Sequence, residues 1–343
     1  MKRIRDLGIW TIVVLDVHRE WCAEFVDDTI FCEDSFSPLL DSNHPETDSR
    51  IQSILSYTKE KNITFDGVWT FADKSVVLCA QIARFLGTPW IGPDILAQLK
   101  NKQSLREWLF THQNTLDEGC SHVASLPCVN YDSVAAEHFP LILKGVESVW
   151  KSLIQVVRTQ EELDNNVQKY GLSSVTLEPY FEGIDIDLNL VVEHGKIVWS
   201  WFAENFIPQQ PGFLENGSQT CVCIDEEEKK EVIRYTQNIL DLARDIQTAC
   251  LHVEFRVRHD SSWFSFTLIE INFRMGWGEN FVFPLWEDNY DLILANMELA
   301  FGMELSQKDI PSKSGLYPNM KTADLFTTRR EIKKNLQWPA DTS

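Results

Sequence analysis

The sequence predicts a mixed fold, in which an amino-terminal α/β segment with a parallel sheet precedes a larger α+β part. Over the first 95 residues, short apolar segments alternate with helical patterns, which is typical of a parallel sheet. From Phe139 the pattern changes to strands and hairpins with single helices between them. The length of 343 residues favours two or three subdomains rather than one core.

The amino-terminal elements follow from apolar periodicity. Strands are predicted over 8–16, 25–31, 65–71 and 88–91, and helices over 50–61, 75–86 and 96–112. The opening strand that usually begins such a parallel unit is missing. We therefore expect an amino-terminal α/β domain at 1–95 without its first strand.

The rest of the chain is predicted from strand and turn signals. Strands are predicted over 141–144, 154–157 and 175–180, a hairpin over 185–193 and 196–203, and antiparallel strands over 251–258 and 263–271. Helices are predicted over 159–170, 226–247 and 290–301. We expect a central region and small lobe at 96–185, a carboxyl-terminal lobe at 186–305 and a polar tail at 306–343.

The net charge of −20 restricts the classes of partner. An acidic surface repels phosphate backbones and anionic membranes, so we expect neither nucleic acid nor a membrane as a partner. Nucleotide binding stays compatible with this charge, because Mg²⁺ brings its own positive charge. The eight cysteines are scattered and form no CxxC pair, which predicts reduced thiols and a cytoplasmic protein.

The strongest local signal is the segment LIEINFRMGWG at 268–278. Side chains alternate along a strand, so Glu270, Asn272 and Arg274 are predicted to share one face. Carboxylate and amide oxygens are hard ligands of the kind that Mg²⁺ prefers. An arginine beside them can clamp a phosphate or a carboxylate in bidentate fashion. The opposite face would carry Ile269, Ile271 and Phe273.

The preceding strand adds a second polar set. Pairing across the turn at 259–262 would bring Glu254 near Glu270, and neighbouring carboxylates repel each other unless a divalent cation lies between them. A solvated hairpin with a ladder of charges is the alternative. The metal interpretation is favoured because an arginine and the glycines at 276 and 278 follow at once. His252 is interpreted as a packed or hydrogen-bonded histidine rather than a ligand.

Several segments resemble, in chain order, the motifs of the ATP-grasp superfamily, in the branch of carboxylate–amine and L-amino-acid ligases that includes carnosine synthase. These segments are the strand at 141–144, the hinge-like LEPYFEGID at 177–185, and EINFR at 270–274 with its trailing glycines. The resemblance runs from the early α/β segment to about Gly302. It implies an ATP-grasp fold with an amino-terminal parallel α/β domain.

The resemblance also implies a nucleotide site. Lys102 and Lys144 would contact the phosphates of ATP. Glu178 would accept a hydrogen bond from the adenine amino group, with Phe181 beside it in the hinge. Asp185 would bond the ribose hydroxyls, where the superfamily more often has glutamate.

The implied chemistry is ligation. Glu254, Glu270 and Asn272 would hold Mg²⁺ or Mn²⁺, and Arg274 would stabilise the transferring phosphoryl group or an acyl phosphate. The implied substrates are a small carboxylate and an amine, with amino acids as the expected pair. The oligomeric state is left open, with a homodimer as one option.

One departure keeps alternatives open. Where the resemblance leads us to expect a small glycine-rich loop after Lys144, the chain has GVESVWKSL at 145–153. A bulky loop can fail to grip a nucleotide, so one alternative is a non-catalytic relative that serves as a binding or scaffold protein. Another is an ATP-grasp enzyme with a different nucleophile, such as a carboxylating enzyme.

Overall fold

A computed structural model of the chain describes residues 12–15, 26–32, 37–70, 72–146, 153–206, 217–219, 222–260, 263–276, 292–303, 305 and 323–325. Trp277, Gly278, most of the loop at 145–153 and nearly all of the tail at 306–343 lie outside these ranges. Within them, no helix is both long and apolar enough to cross a bilayer.

Helices and strands occur in the mixed order that the sequence predicts. The helices are α1 (Ser49–Lys61), α2 (Val76–Leu86), α3 (Pro93–Lys100), α4 (Lys102–Thr111), α5 (Gln113–Leu116), α6 (Gln160–Tyr170), α7 (Glu226–Leu242) and α8 (Leu292–Ala300). The strands are β1 (Ile12–Leu15), β2 (Asp28–Phe31), β3 (Leu141–Gly145), β4 (Ile154–Val157), β5 (Val175–Pro179), β6 (Ile184–Glu193), β7 (Lys196–Asn205), β8 (Gly217–Gln219), β9 (Ala249–Asp260), β10 (Trp263–Asn272) and β11 (Ala323–Leu325). Short 3-10 turns lie at Pro45–Thr47, Asp73–Ser75, Tyr131–Ser133, Ala136–His138 and Leu172–Ser174.

The amino-terminal segment contains a parallel pair of strands, β1 and β2, packed on α1 and α2. The strand predicted at 65–71 is wrong, since residues 65–70 form no strand. Gly67 lies so close to the end of α8 that an added Cβ would meet the Ala300 carbonyl at 2.6 Å. The strand predicted at 88–91 is also wrong, because this stretch links Gly87, which ends α2, to Gly92, which precedes α3.

The single helix predicted over 96–112 is two helices. Asn101 has an extended backbone (φ −75°, ψ 122°) and ends α3, while its side chain accepts hydrogen bonds from the amides of Gln103 and Ser104. Asparagine is a preferred residue at this capping position because its side chain satisfies the free amides of the first turn. The break starts α4 at Lys102 and sets the direction of that helix.

A small antiparallel sheet has the strand order β4-β3-β5. Leu141 and Leu143 of β3 pack with Val157, Leu177 and Leu163 of α6 in a core of their own. Lys144 lies at the end of β3, opposite Thr176, and is buried. This sheet forms one wall of the site described below.

The large sheet has the strand order β10-β9-β6-β7-β8-β11. One face packs against α3, α4 and α7 in the main core, around Phe255 and Phe266. On the other face, α8 covers the end that carries Val191 and Cys250. Further along this second face, the apolar side chains of β6 and β9 give way to polar ones.

A buried ion pair ties the amino-terminal loop to α1 and gives the first testable expectation. Asp48 caps the helix and binds the Arg50 guanidinium at 2.9 and 2.8 Å, while Arg50 also donates to the carbonyls of Ser37 and Pro38. The hydrogen bonds and charge of Arg50 lower the pKa of Asp48 to about 2, against an ordinary value of 3.8.

A depressed carboxyl pKa stabilises the fold above the unfolded-state value and loses this effect as the pH falls through the folded-state value. We therefore expect Asp48→Asn to lower the free energy of unfolding by about 2 kcal/mol at pH 7. The difference from wild type should shrink between pH 4 and pH 2. Urea unfolding at several pH values measures this gap, and a gap that is constant with pH would contradict the role of the ion pair.

Candidate active site

Three neighbouring strands of the large sheet carry polar side chains in matching register, and we call these residues the polar face. They are Asp185, Asp187 and Asn189 on β6, His252, Glu254 and Arg256 on β9, and Thr267, Glu270 and Asn272 on β10. All are buried except Glu270, which is partly exposed. The central carboxylate is Glu254, which pairs with Asp187 on one side and with Glu270 on the other.

A β-bulge between Leu268 and Glu270 produces this alignment. Leu268 pairs with Phe255 on the core side, so without the bulge Ile269 would lie opposite Glu254 and Glu270 would turn to the core. The extra residue shifts the alternation by one position. Ile269 therefore leaves the core face predicted for it, and its carbonyl accepts a hydrogen bond from Arg106.

The structure brings three predicted metal ligands together. Asn272 Nδ2 lies 3.3 Å from Glu254 Oε1 and 3.2 Å from Glu270 Oε1, and Lys102 Nζ lies 2.8 Å from Glu270 Oε2. Burial alone would raise the pKa of Glu270, but the charge and hydrogen bond of Lys102 hold that pKa well below its usual value. Glu270 is thus ionised at neutral pH.

The donors at this position fit a hard dication. Two carboxylates on adjacent strands, with an amide between them, form the oxygen-rich set that Mg²⁺ binds together with substrate phosphates. A half-turn of the Asn272 amide would present its oxygen in place of Nδ2. Glu254, Glu270 and Asn272 are therefore suited to hold Mg²⁺, which would neutralise charge on a bound triphosphate.

A second charged group lies on the small sheet. Glu178 is fully buried, and its Oε2 lies 2.8 Å from Lys144 Nζ and 3.1 Å from Arg106 Nε. Burial would raise the pKa of Glu178, but the two cations lower it below its usual value. Burial and the neighbouring charge of Arg106 lower the pKa of Lys144. The group carries two cations and one anion, so it suits an anionic ligand.

A cavity separates this group from the polar face. It is lined by Lys144 and Glu178 of the small sheet, by Phe181 in the link between β5 and β6, and by Asp185 and Arg256 of the large sheet. Its volume of about 40 Å³ is far below the roughly 300–1,000 Å³ of most ligand pockets. A nucleotide could enter only if the two sheets moved apart.

The predicted adenine and ribose residues line this cavity, but two of them already have ionic partners. Glu178 binds Lys144 and Arg106 through Oε2, and among the described residues no group donates a hydrogen bond to its buried Oε1. That oxygen is suited to accept from an amino group. The Asp185 carboxylate is bound by Arg256 Nε. The Phe181 ring lies under the Arg258 guanidinium, at 4.8 Å.

Arg274 lies beside the metal-ligand set. Its Nη1 donates to the Met275 carbonyl at 2.9 Å, and its Nε lies 3.6 Å from Asp73 Oδ1. Asp73 also binds Lys100 at 2.8 Å. The guanidinium is held near the site by a carboxylate from another part of the chain, and its predicted catalytic role stays a prediction.

Sequence reasoning missed two residues that the structure places in the site. Arg106 lies one helical turn after Lys102 on α4, a spacing that puts both side chains on one helix face. Asp187 follows Asp185 by two residues in β6, which is the spacing of neighbours on one strand face. Both signals were available in the sequence.

The two sheets and the cleft between them define a known fold class. The crystal structure of the L-amino acid ligase from Bacillus licheniformis matches with a TM-score of 0.68, over 89% of this chain and 71% of that one, at 16% identity. The chain therefore has the ATP-grasp fold, as the motifs predicted. The description of its first part as a domain lacking one strand stays a prediction.

Two curated proteins are similar to this chain in sequence. Carnosine synthase 1 of Mus musculus is 23% identical over 287 residues, which is 77% of this chain and 34% of that protein. An ATP-grasp enzyme of Aspergillus fumigatus is 24% identical over 274 residues, 76% of this chain and 46% of that protein. No family model matches the chain. The chain is similar in sequence to these enzymes and spans about a third to a half of their length.

Proposed function

We propose that the chain is a ligase that uses ATP and Mg²⁺ to phosphorylate a carboxylate and then couples the acyl group to an amine. The observation that carries the proposal is the register of β9 and β10, which places Glu254 directly opposite Glu270 beside Lys102. The name of the structural neighbour from Bacillus licheniformis, an L-amino acid ligase, supports amino acids as the substrate class.

The first step needs positioning and charge neutralisation more than acid–base chemistry. A carboxylate oxygen attacks the γ-phosphorus, the bond to the bridging oxygen breaks, and ADP leaves. Mg²⁺, when bound, would supply part of the neutralisation. Lys144 and Arg106 border the cavity as fixed cations whose orientation is set before a ligand arrives.

In the second step, the amine nitrogen attacks the acyl carbon and phosphate leaves with the transferred oxygen, while the nitrogen loses a proton to solvent. The acyl phosphate hydrolyses easily, so water must be excluded until the amine attacks. The narrow cavity between the two sheets suits this requirement, because closure of the sheets over a ligand would leave little room for water.

An isotope experiment tests the proposal. The full chain is incubated with ATP, Mg²⁺ and pairs of amino acids, and released ADP and phosphate are measured. With a carboxylate labelled with ¹⁸O, we expect one labelled oxygen in the released phosphate, because the attacking oxygen leaves with phosphorus. AMP and pyrophosphate as products would contradict an acyl phosphate.

The same assay separates the alternatives. Phosphate release that requires bicarbonate rather than an amine would favour a carboxylating enzyme. Absence of turnover with every pair, together with no thermal stabilisation by ATP and Mg²⁺, would favour a non-catalytic relative, since a ligand that binds the native state must stabilise it.

A further inference from the structure

A second group of possible ligands lies on the polar face, on the side of Glu254 away from Glu270. His252 Nε2 is 3.7 Å from Asp187 Oδ2 and 3.7 Å from Glu254 Oε1. The three side chains offer ligand atoms that all lie within 4.8 Å of one another, and all three residues are buried. Ligands on a tetrahedral zinc ion lie roughly 3.4 Å apart, given bonds of about 2.1 Å.

The hydrogen bonds of Asn189 determine which nitrogen of His252 faces the carboxylates. Asn189 Oδ1 accepts from the backbone N–H of Gly276 at 3.3 Å, and the same oxygen lies 2.9 Å from His252 Nδ1. A backbone amide only donates, so this contact fixes the oxygen of Asn189 on this side. Nδ1 must then carry a proton, and in a neutral ring Nε2 presents its lone pair to the two carboxylates.

Each of the three side chains is also oriented by an asparagine. Asn205 donates to Asp187 Oδ2 at 2.8 Å, Asn189 binds His252, and Asn272 lies 3.3 Å from Glu254 Oε1. Metal-binding imidazoles typically donate their second nitrogen to an oxygen, and ligating carboxylates are typically hydrogen-bonded. The surroundings therefore match those of a built metal site.

We propose that Asp187, His252 and Glu254 form a second divalent-cation site that prefers a transition metal to Mg²⁺. Imidazole nitrogen is a good ligand for Zn²⁺ and Co²⁺, whereas Mg²⁺ favours an all-oxygen set. A cation here would join β6 to β9 and would share Glu254 with the oxygen-rich set around Glu270. The site goes beyond the proposed ligase activity and binds its ion without a nucleotide.

Cobalt titration of the full chain, stripped of metal by a chelator and free of nucleotide, tests this site. We expect one equivalent of Co²⁺ to bind with visible absorption bands, and a 100-fold excess of Mg²⁺ to displace it poorly. His252→Gln should weaken binding by at least about 100-fold, and Asn205→Ala by roughly 10–100-fold through Asp187. His122→Gln, at a half-exposed histidine paired with Glu231, is the matched control and should bind Co²⁺ like wild type.

A second measurement needs no variant. Proton NMR of the Co²⁺-loaded wild type should show one shifted, slowly exchanging imidazole N–H, the Nδ1 proton held by Asn189. Absence of that signal would overturn the site, as would unchanged Co²⁺ affinity in folded His252→Gln. Because neither measurement involves ATP, a negative result leaves the ligase proposal to its own assay.

Discussion

Glu270→Gln is expected to abolish Mg²⁺-dependent turnover while the chain stays folded. Glu270 is ionised at neutral pH and lies opposite Glu254, so the substitution removes one of the two negative charges that would hold the dication. Loss of such electrostatic stabilisation lowers turnover by at least about 100-fold. The fold should tolerate the change, because Glu270 is partly exposed and Gln can still accept a hydrogen bond from Lys102.

Nucleotide binding gives a second measure of the same variant. In wild type, Mg²⁺ should tighten the binding of a non-hydrolysable ATP analogue, and in Glu270→Gln this effect should largely disappear. Glu60→Gln, at an exposed position on α1, is the control and should keep both turnover and the effect of Mg²⁺. Turnover at the wild-type rate in Glu270→Gln would show that this carboxylate holds no metal.

The pairing of Glu254 with Glu270 illustrates how far the sequence predicts the site. The alternation of polar residues along 251–258 and 268–274 was sufficient to predict two acidic strands that meet. The alternation breaks at Leu268 and Ile269, two adjacent apolar residues, so the sequence contained a signal of the bulge that the strand prediction did not use. The predicted contact is confirmed, and it depends on this extra residue in β10.

In the amino-terminal segment, tertiary contacts determined a structure that differs from the one the local apolar pattern predicted. The apolar segment 65–71 has the composition of a strand, but Gly67 packs against the end of α8, a contact more than two hundred residues away in sequence. Conversely, the break between α3 and α4 is caused locally by the capping residue Asn101, which could have been recognised in the sequence. The order of the motifs predicted the ATP-grasp fold correctly. Because that prediction depends on several segments at once, an error in one helix or strand does not change it.

Substitutions of Glu178 and Lys144 are expected to differ in their effect on stability, because one removes the anion and the other removes one of the two cations of the buried charged group. Glu178→Gln would leave Lys144 and Arg106 buried without their shared anion. Breaking a buried ion pair from one side costs roughly 3–5 kcal/mol, so we expect this variant to lose about that much stability. Lys144→Met leaves Arg106 balanced by Glu178 and should cost about 1 kcal/mol.

The effects of these substitutions on nucleotide affinity should differ from their effects on stability. Lys144→Met removes a cation that borders the cavity, and we expect the Kd for ATP to rise by about 10–100-fold, the loss of one charged hydrogen bond. Glu182→Gln, four residues after Glu178 and exposed, is the control for both measurements and should match wild type. Urea unfolding and calorimetric titration with an ATP analogue separate the two effects. If Lys144→Met were as unstable as Glu178→Gln and still bound ATP normally, Lys144 would serve only the small-sheet core, and the nucleotide would have to bind elsewhere.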